Sequence, residues 1–113
     1  MREQEVYISE IYNALKRASD QLKNVSLDAF MDSRDKQDIV IRNLEIAGEA
    51  VNQLLNHFPD MKANSKINWS DLIALRNIIA HQYFRIDYEV IYKIVVETLP
   101  SLIPEIKKLL PKT

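Results

Sequence analysis

The sequence predicts an all-α fold, an antiparallel bundle of four to five helices, and three observations carry that prediction. Glycine occurs once in 113 residues, as Gly48, whereas tight hairpins and phosphate-cradling loops both draw on glycine at positive φ. Three of the four prolines, Pro100, Pro104 and Pro111, crowd the C-terminal end, so most of the chain is free of helix breakers. Apolar residues recur at three- to five-residue spacings over long stretches, the period of a helix with one buried face.

The first helix is expected from about Glu5 to Lys23, with Val6, Ile11, Leu15, Ala18 and Leu22 as its buried stripe and Ile8 and Tyr12 widening it. Ser26 or Asp28 then caps a short turn holding Leu27, Phe30 and Met31, and Ser33 caps a long second helix that Pro59 stops after Phe58. The polar run from Asp60 to Asn68 reads as a helix–helix connector within one domain spanning residues 1–113. A third helix starts near Trp69, with Asn68 or Ser70 as cap and Asp71 in its positive first turn, and runs to about Gln82. Asp87 caps a fourth, in which Pro100 and Pro104 should kink or divide the helix between Leu99 and Ile103.

Composition narrows the function classes. With 47% hydrophobic and 27% charged residues the chain is that of a soluble globular protein able to bury a core without covalent staples. The absence of cysteine removes disulfides, thiolate metal sites and cysteine nucleophiles together. A formal net charge of −1 argues against non-specific nucleic-acid binding over the whole surface. Arg85, Lys62, Lys66 and the Lys107–Lys108 pair can make only limited basic patches, so any RNA or DNA contact must be local. The opening residues carry scattered charges and no unbroken apolar run, which fits a cytoplasmic protein without a membrane segment.

Two helices place polar residues oddly. At about 100° per residue the second helix gathers Asp38, Arg42, Glu45, Glu49, Asn52 and Asn56 into one narrow strip, and apolar residues from Ile39 to Leu55 wrap most of the rest, with Asn43 as the polar exception. The strip is either a solvated face tied by pairs such as Asp38–Arg42 and Arg42–Glu45, or the wall of a cleft shared with the third helix, where a carboxylate positions an arginine. Gly48 lies on the apolar arc, where its missing side chain lets another helix approach closely and offsets about 1 kcal/mol of lost helix propensity. On the third helix Leu72, Ile73, Leu75, Ile79 and Ala80 define an apolar sector with Arg76 near its middle, and an arginine there needs a carboxylate, an interface rim or an anionic ligand.

Ser70, Asn77 and His81 share an edge of the third helix, so Asn77 could orient the imidazole. His81 has a structural reading as well as a catalytic one. His57, at the end of the second helix, is explained by the helix dipole, and the two histidines offer no metal-ligand spacing. Tyr83 reads as a half-buried aromatic with a wet hydroxyl.

The run Arg76-Asn77-Ile78-Ile79-Ala80-His81-Gln82-Tyr83 resembles the HEPN ribonuclease motif in the form used by HepT-like toxins. The segment from Arg42 to Asn52 is similar to the second helix of that family, and Trp69-Ser70-Asp71-Leu72 to its lead into the motif. The resemblance implies a HEPN-like bundle with a kinked C-terminal helix that forms a homodimer, with the arginine and histidine of both protomers facing one composite cleft. It implies a metal-independent endoribonuclease without cofactor, the toxin of a type VII toxin–antitoxin system, neutralised by a small MntA-like nucleotidyltransferase antitoxin. Carried over residue by residue, Arg76 and His81 are catalytic, Asn77 is their polar companion together with Arg42 and Glu49 as supporting RNA-binding residues, and Tyr83 is the site of AMPylation. Two further readings remain open on the residues alone: a non-catalytic helical module that binds a nucleotidyltransferase, and a plain dimeric scaffold in which Arg76 is fully paired with Glu45 or Glu49 inside one protomer.

Overall fold

The computed structural model describes residues 3–64, 66–81 and 83–111, the side chains of Asn64 and Tyr83 excepted. It is all-helical among the described residues. Helix α1 spans Gln4–Gln21, α2 Leu27–Met31, α3 Arg34–His57, α4 Asp60–Asn64 and α5 Trp69–His81. A 3-10 turn at Tyr83–Arg85 leads to α6, Tyr88–Lys93, which continues through a π-helical stretch, Ile94–Thr98, into α7, Leu99–Lys107. Helix α3 is the hub: it lies along α1 on one side and against α5 on another, while the C-terminal helices fold back onto α1 and α2.

The caps are where local chemistry puts them. The Ser26 and Ser33 side chains accept the amides of Ala29 and Lys36, and Asp87 accepts those of Glu89 and Val90, each meeting amides that the first helical turn leaves unpaired. Past the end of α1, Asn24 takes up a φ of 61°, a left-handed conformation that asparagine tolerates better than most residues. Helix α3 ends as Pro59 approaches, with Phe58 out of the helical region at φ −135° and ψ 70°.

Three expectations need correction. The Asp60–Asn68 connector contains a helical turn, α4, because Pro59 brings a fixed φ that suits a helix start. In α1, Val6 is 41% exposed and Tyr7 is buried in its place; the Tyr7 ring stacks on His57 at 5.8 Å and meets Phe58 edge-on, and those two aromatic contacts at the end of α3 set which side of the first turn faces inward. The prolines disturb the last helix as expected, but without dividing it and earlier than Leu99–Ile103. Pro100 brings no amide hydrogen and its ring collides with the carbonyl one turn back, so the helix widens to π spacing over Ile94–Thr98, just before that residue, and Pro104 sits inside α7. Gln82, the expected end of the third helix, lies outside the described residues.

The buried side chains form one cluster, from Tyr7, Ile11 and Leu15 on α1 through Val40, Leu44, Val51 and Leu54 on α3 to Trp69 and Ile79 on α5 and Leu99 and Ile106 on α7. Phe30 plugs the gap between α2 and α6 against the rings of Tyr88 and Tyr92, and the Tyr92 hydroxyl donates to the Val25 carbonyl at 2.6 Å. Asn43, buried on α3, is satisfied on both sides of its amide: it donates to the Ile39 carbonyl and accepts from Arg17 Nε of α1 at 2.8 Å.

Candidate active site

Gly48 determines how α3 and α5 meet. A Cβ on Gly48 would overlap the Arg76 Cβ and stand 2.8 Å from its Cγ and 3.1 Å from the Leu72 carbonyl oxygen, so only glycine permits this approach. The close packing expected of Gly48 is therefore present, and the residue it admits is the stem of Arg76. Arg76 falls among Trp69, Leu72, Leu75 and Ile79 on the buried face of α5, and with no side chain opposing its stem it can lie across α3 and carry its head out to the edge of the contact.

There the guanidinium is held at two points. Nη2 lies 3.2 Å from Glu49 Oε2 on α3, and Nη1 donates to Asn77 Oδ1 at 3.2 Å. Glu49 is fixed in turn by Gln53, one turn on, whose amide donates to Oε1. The Arg76 and Glu49 side chains are 36% and 47% exposed, which leaves further guanidinium N–H groups facing solvent and makes the ion pair an orienting contact more than a stabilising one. Arg76 is thus paired within one chain but not sealed there.

The cleft beside this pair has a volume of about 390 Å³ and is lined by Arg42, Glu45, Glu49 and Arg76 together with Glu10 of α1. The polar strip of α3 is in part a cleft wall, the second of its two sequence readings, and Asp38 at its other end pairs loosely with Arg34 at 3.7 Å instead of with Arg42. Three carboxylates and two guanidinium groups give the cleft no surplus of positive charge. Glu10 carried no signal in the sequence, because its place opposite Arg42 and Glu45 arises only when α1 packs on α3. Among the described residues no three histidine, aspartate or glutamate side chains are grouped to hold a metal ion.

His81 is placed differently. It is the last residue of α5 and exposed, and it does not line the cleft around Arg76. Within one chain the structure brings Arg76, Asn77, Glu49 and Arg42 together and leaves His81 on another side of the same helix, five residues on. The Asn77 amide oxygen, expected to orient the imidazole, is held by Arg76 instead, since neighbouring residues on a helix can meet when the longer side chain bends back over the shorter. Ser70, on the same edge, donates to Asn68 at 2.5 Å. Ala80, expected inside, is exposed, as are Ala74 and Ile78, because α3 covers only one side of α5. A mostly apolar groove of about 470 Å³ runs from this open side to the C-terminal helix, lined by Leu75, Ile78, Ile94, Leu99 and Leu102. The backbone of Tyr83 opens the 3-10 turn after α5, but its side chain lies outside the described residues. No helix among the described residues is long and apolar enough to cross a membrane.

Comparison with known proteins supplies the context for this geometry. The family model described as "Ribonuclease HepT-like" matches residues 11–109. A protein of Methanocaldococcus jannaschii named "Putative RNase MJ1380" is 35% identical over 86% of this chain and 90% of its own length. One of Thermococcus cleftensis named "Probable ribonuclease HepT" is 31% identical over 91% of this chain and 92% of its own. One of Caldanaerobacter subterraneus named "Putative RNase TTE0752" is 27% identical over 94% and 93%. No solved structure gives a significant match. An all-helical bundle with an arginine seated on the one glycine of α3, matched by that family model over most of its length, belongs to the HepT-like family of the HEPN ribonucleases.

Proposed function

We propose that this protein is a metal-independent endoribonuclease acting as a homodimer, the toxin of a type VII toxin–antitoxin pair. The observation that carries the reading is the arginine of α5: it is held in one orientation by Glu49 and Asn77 and still presents N–H groups to solvent, which suits a group meant to meet an external phosphate. The alternative of a fully paired, structural arginine is disfavoured by that exposure.

In this reading one His81 takes the proton of a ribose 2′-hydroxyl, the oxygen attacks the adjacent phosphorus, and Arg76 stabilises the charge of the phosphorane. A second His81 protonates the departing 5′-oxygen, leaving a 2′,3′-cyclic phosphate and a 5′-hydroxyl. One chain supplies one His81, so the base and the acid come from two protomers related by a two-fold axis. The exposed Ile78 and the apolar groove on the helix that carries the motif support a second copy seated there. Arg42 and Glu49 would border the RNA path. Neutralisation follows when an MntA-like nucleotidyltransferase transfers AMP from ATP to the Tyr83 phenol, with pyrophosphate leaving, which adds a bulky negative group close in sequence to the motif.

The test is cleavage of end-labelled total RNA, with tRNA resolved, by purified protein in EDTA beside a His81→Ala control. Discrete cuts that the variant fails to make are expected, with cyclic phosphate at the 5′ fragment's end and a rate that falls more steeply than first order on dilution through the dimer dissociation range. Intact RNA after treatment with unmodified protein would sink the enzyme reading and leave a helical module that binds a nucleotidyltransferase. For Tyr83, the Tyr83→Phe variant should stay toxic in cells that make the antitoxin, and neutralisation as complete as wild type's would replace modification by simple binding.

A further inference from the structure

The helix contact that holds Arg76 is built from two adjacent residues of α3 with different tasks. Gly48 leaves the space in which the arginine stem lies, and Glu49 takes the guanidinium at its end. Glycine is a poor choice in the middle of a 24-residue helix on propensity alone, and Gly48 has an ordinary negative φ, so the backbone itself does not require it. The requirement comes from across the contact: the atoms a methyl group would meet are the Cβ and Cγ of Arg76 and the backbone carbonyl of Leu72, none of them the free end of a flexible side chain. Arg76 Cβ and the Leu72 carbonyl cannot yield by rotamer change. The α5 backbone must withdraw by roughly 1.5 Å to restore ordinary carbon–carbon contact.

From this we infer that Gly48 is a positioning residue for the arginine chemistry: the α3–α5 distance it permits sets where the Arg76 guanidinium stands, and Glu49 sets which way it faces. The inference rests on the proposed ribonuclease reading for its catalytic consequence, but the seat exists whether or not the protein cleaves RNA. A displacement of about 1 Å or more at a group that stabilises a transition state can lower turnover by about a hundredfold while leaving substrate binding through the rest of the surface nearly intact. The same withdrawal lengthens the Arg76–Glu49 contact, which is 3.2 Å now.

The experiment compares Gly48→Ala with wild type in three readouts on the intact chain. In RNA cleavage, kcat should drop by at least tenfold with KM changed less than threefold, and the drop should vanish in an Arg76→Ala background, since a seat has no effect once its occupant's head is gone. In nitrogen-15 spectra, the Arg76 guanidinium signals should move in Gly48→Ala, with the Nη groups that now meet Glu49 and Asn77 going over to solvent-like exchange, a change readable even if wild type proves to have no ribonuclease activity. If Gly48→Ala is too unstable to assay, adding Arg76→Gly removes the opposing Cβ and should bring the melting midpoint to that of Arg76→Gly alone, the helix-interior glycine being common to both. Full turnover in a folded Gly48→Ala, an equal loss in the Arg76→Ala background, an unmoved arginine signal, or a double variant that melts well below Arg76→Gly alone would each overturn the inference.

Discussion

Helix α3 makes two contacts of opposite character. Toward α1 it presents side chains that are almost wholly apolar and buried, with one polar pin, Asn43 to Arg17, at the margin. Toward α5 it presents a glycine, and what enters is an arginine with a half-exposed head. The first contact gains from every methylene it removes from water. The second gives up a side chain on α3 to bring a charged group of α5 to a fixed place. Stability and function are thus divided between two sides of one helix, which explains how the chain can hold a charge near its core without weakening the bundle as a whole.

Substitutions on the two sides should behave oppositely. The largest effect is expected from Arg76→Ala, which should lower RNA cleavage by about 10²–10³-fold, the loss typical of removing one group that stabilises a developing oxyanion, with a melting midpoint close to wild type. A collapse of the fold in this variant would make Arg76 a structural residue and erase the distinction. Leu15→Ala, on α1 and fully buried, should cost about 2–5 kcal/mol of stability by cavity formation, read as an earlier denaturant midpoint, with unchanged cleavage per folded molecule.

Asn43→Ala should cost about 1 kcal/mol, the net worth of an ordinary hydrogen bond, since the exposed Arg17 can turn to water. Denaturant unfolding would measure it, and a loss above about 3 kcal/mol would mean that the pin is part of the core. Glu49→Gln should be smallest in stability, below about 1 kcal/mol, because both partners of its ion pair remain partly in water. Its cleavage rate should nevertheless change, and a variant indistinguishable from wild type in both would show that the Glu49 charge does not orient Arg76.

Much of this was legible in the sequence because it follows from local rules. The capping serines at 26 and 33 and Asp87, the breaker Pro59 and the helical spacing set the elements to within a few residues. The run from Arg76 to His81 and the polar strip from Arg42 to Glu49 named most of the candidate site. The misreadings occur where a neighbour decides. Val6 and Tyr7 are both apolar enough for the inside, and the rings of His57 and Phe58 chose Tyr7; Asn77 shares an edge of the helix with His81 and only adjoins Arg76 in sequence, yet the longer arginine took its amide.

The sequence by itself determined the long helices, their ends to within a few residues, and the presence of an arginine and a glycine on faces where neither belongs by propensity. Only the tertiary structure decided that those two anomalies answer each other, that Glu10 joins their cleft from another helix, and that His81 stands apart from Arg76 within one chain. Periodicity fixes the direction in which a side chain leaves its own helix, but which helix it meets, and how closely, depends on packing between segments far apart in the chain.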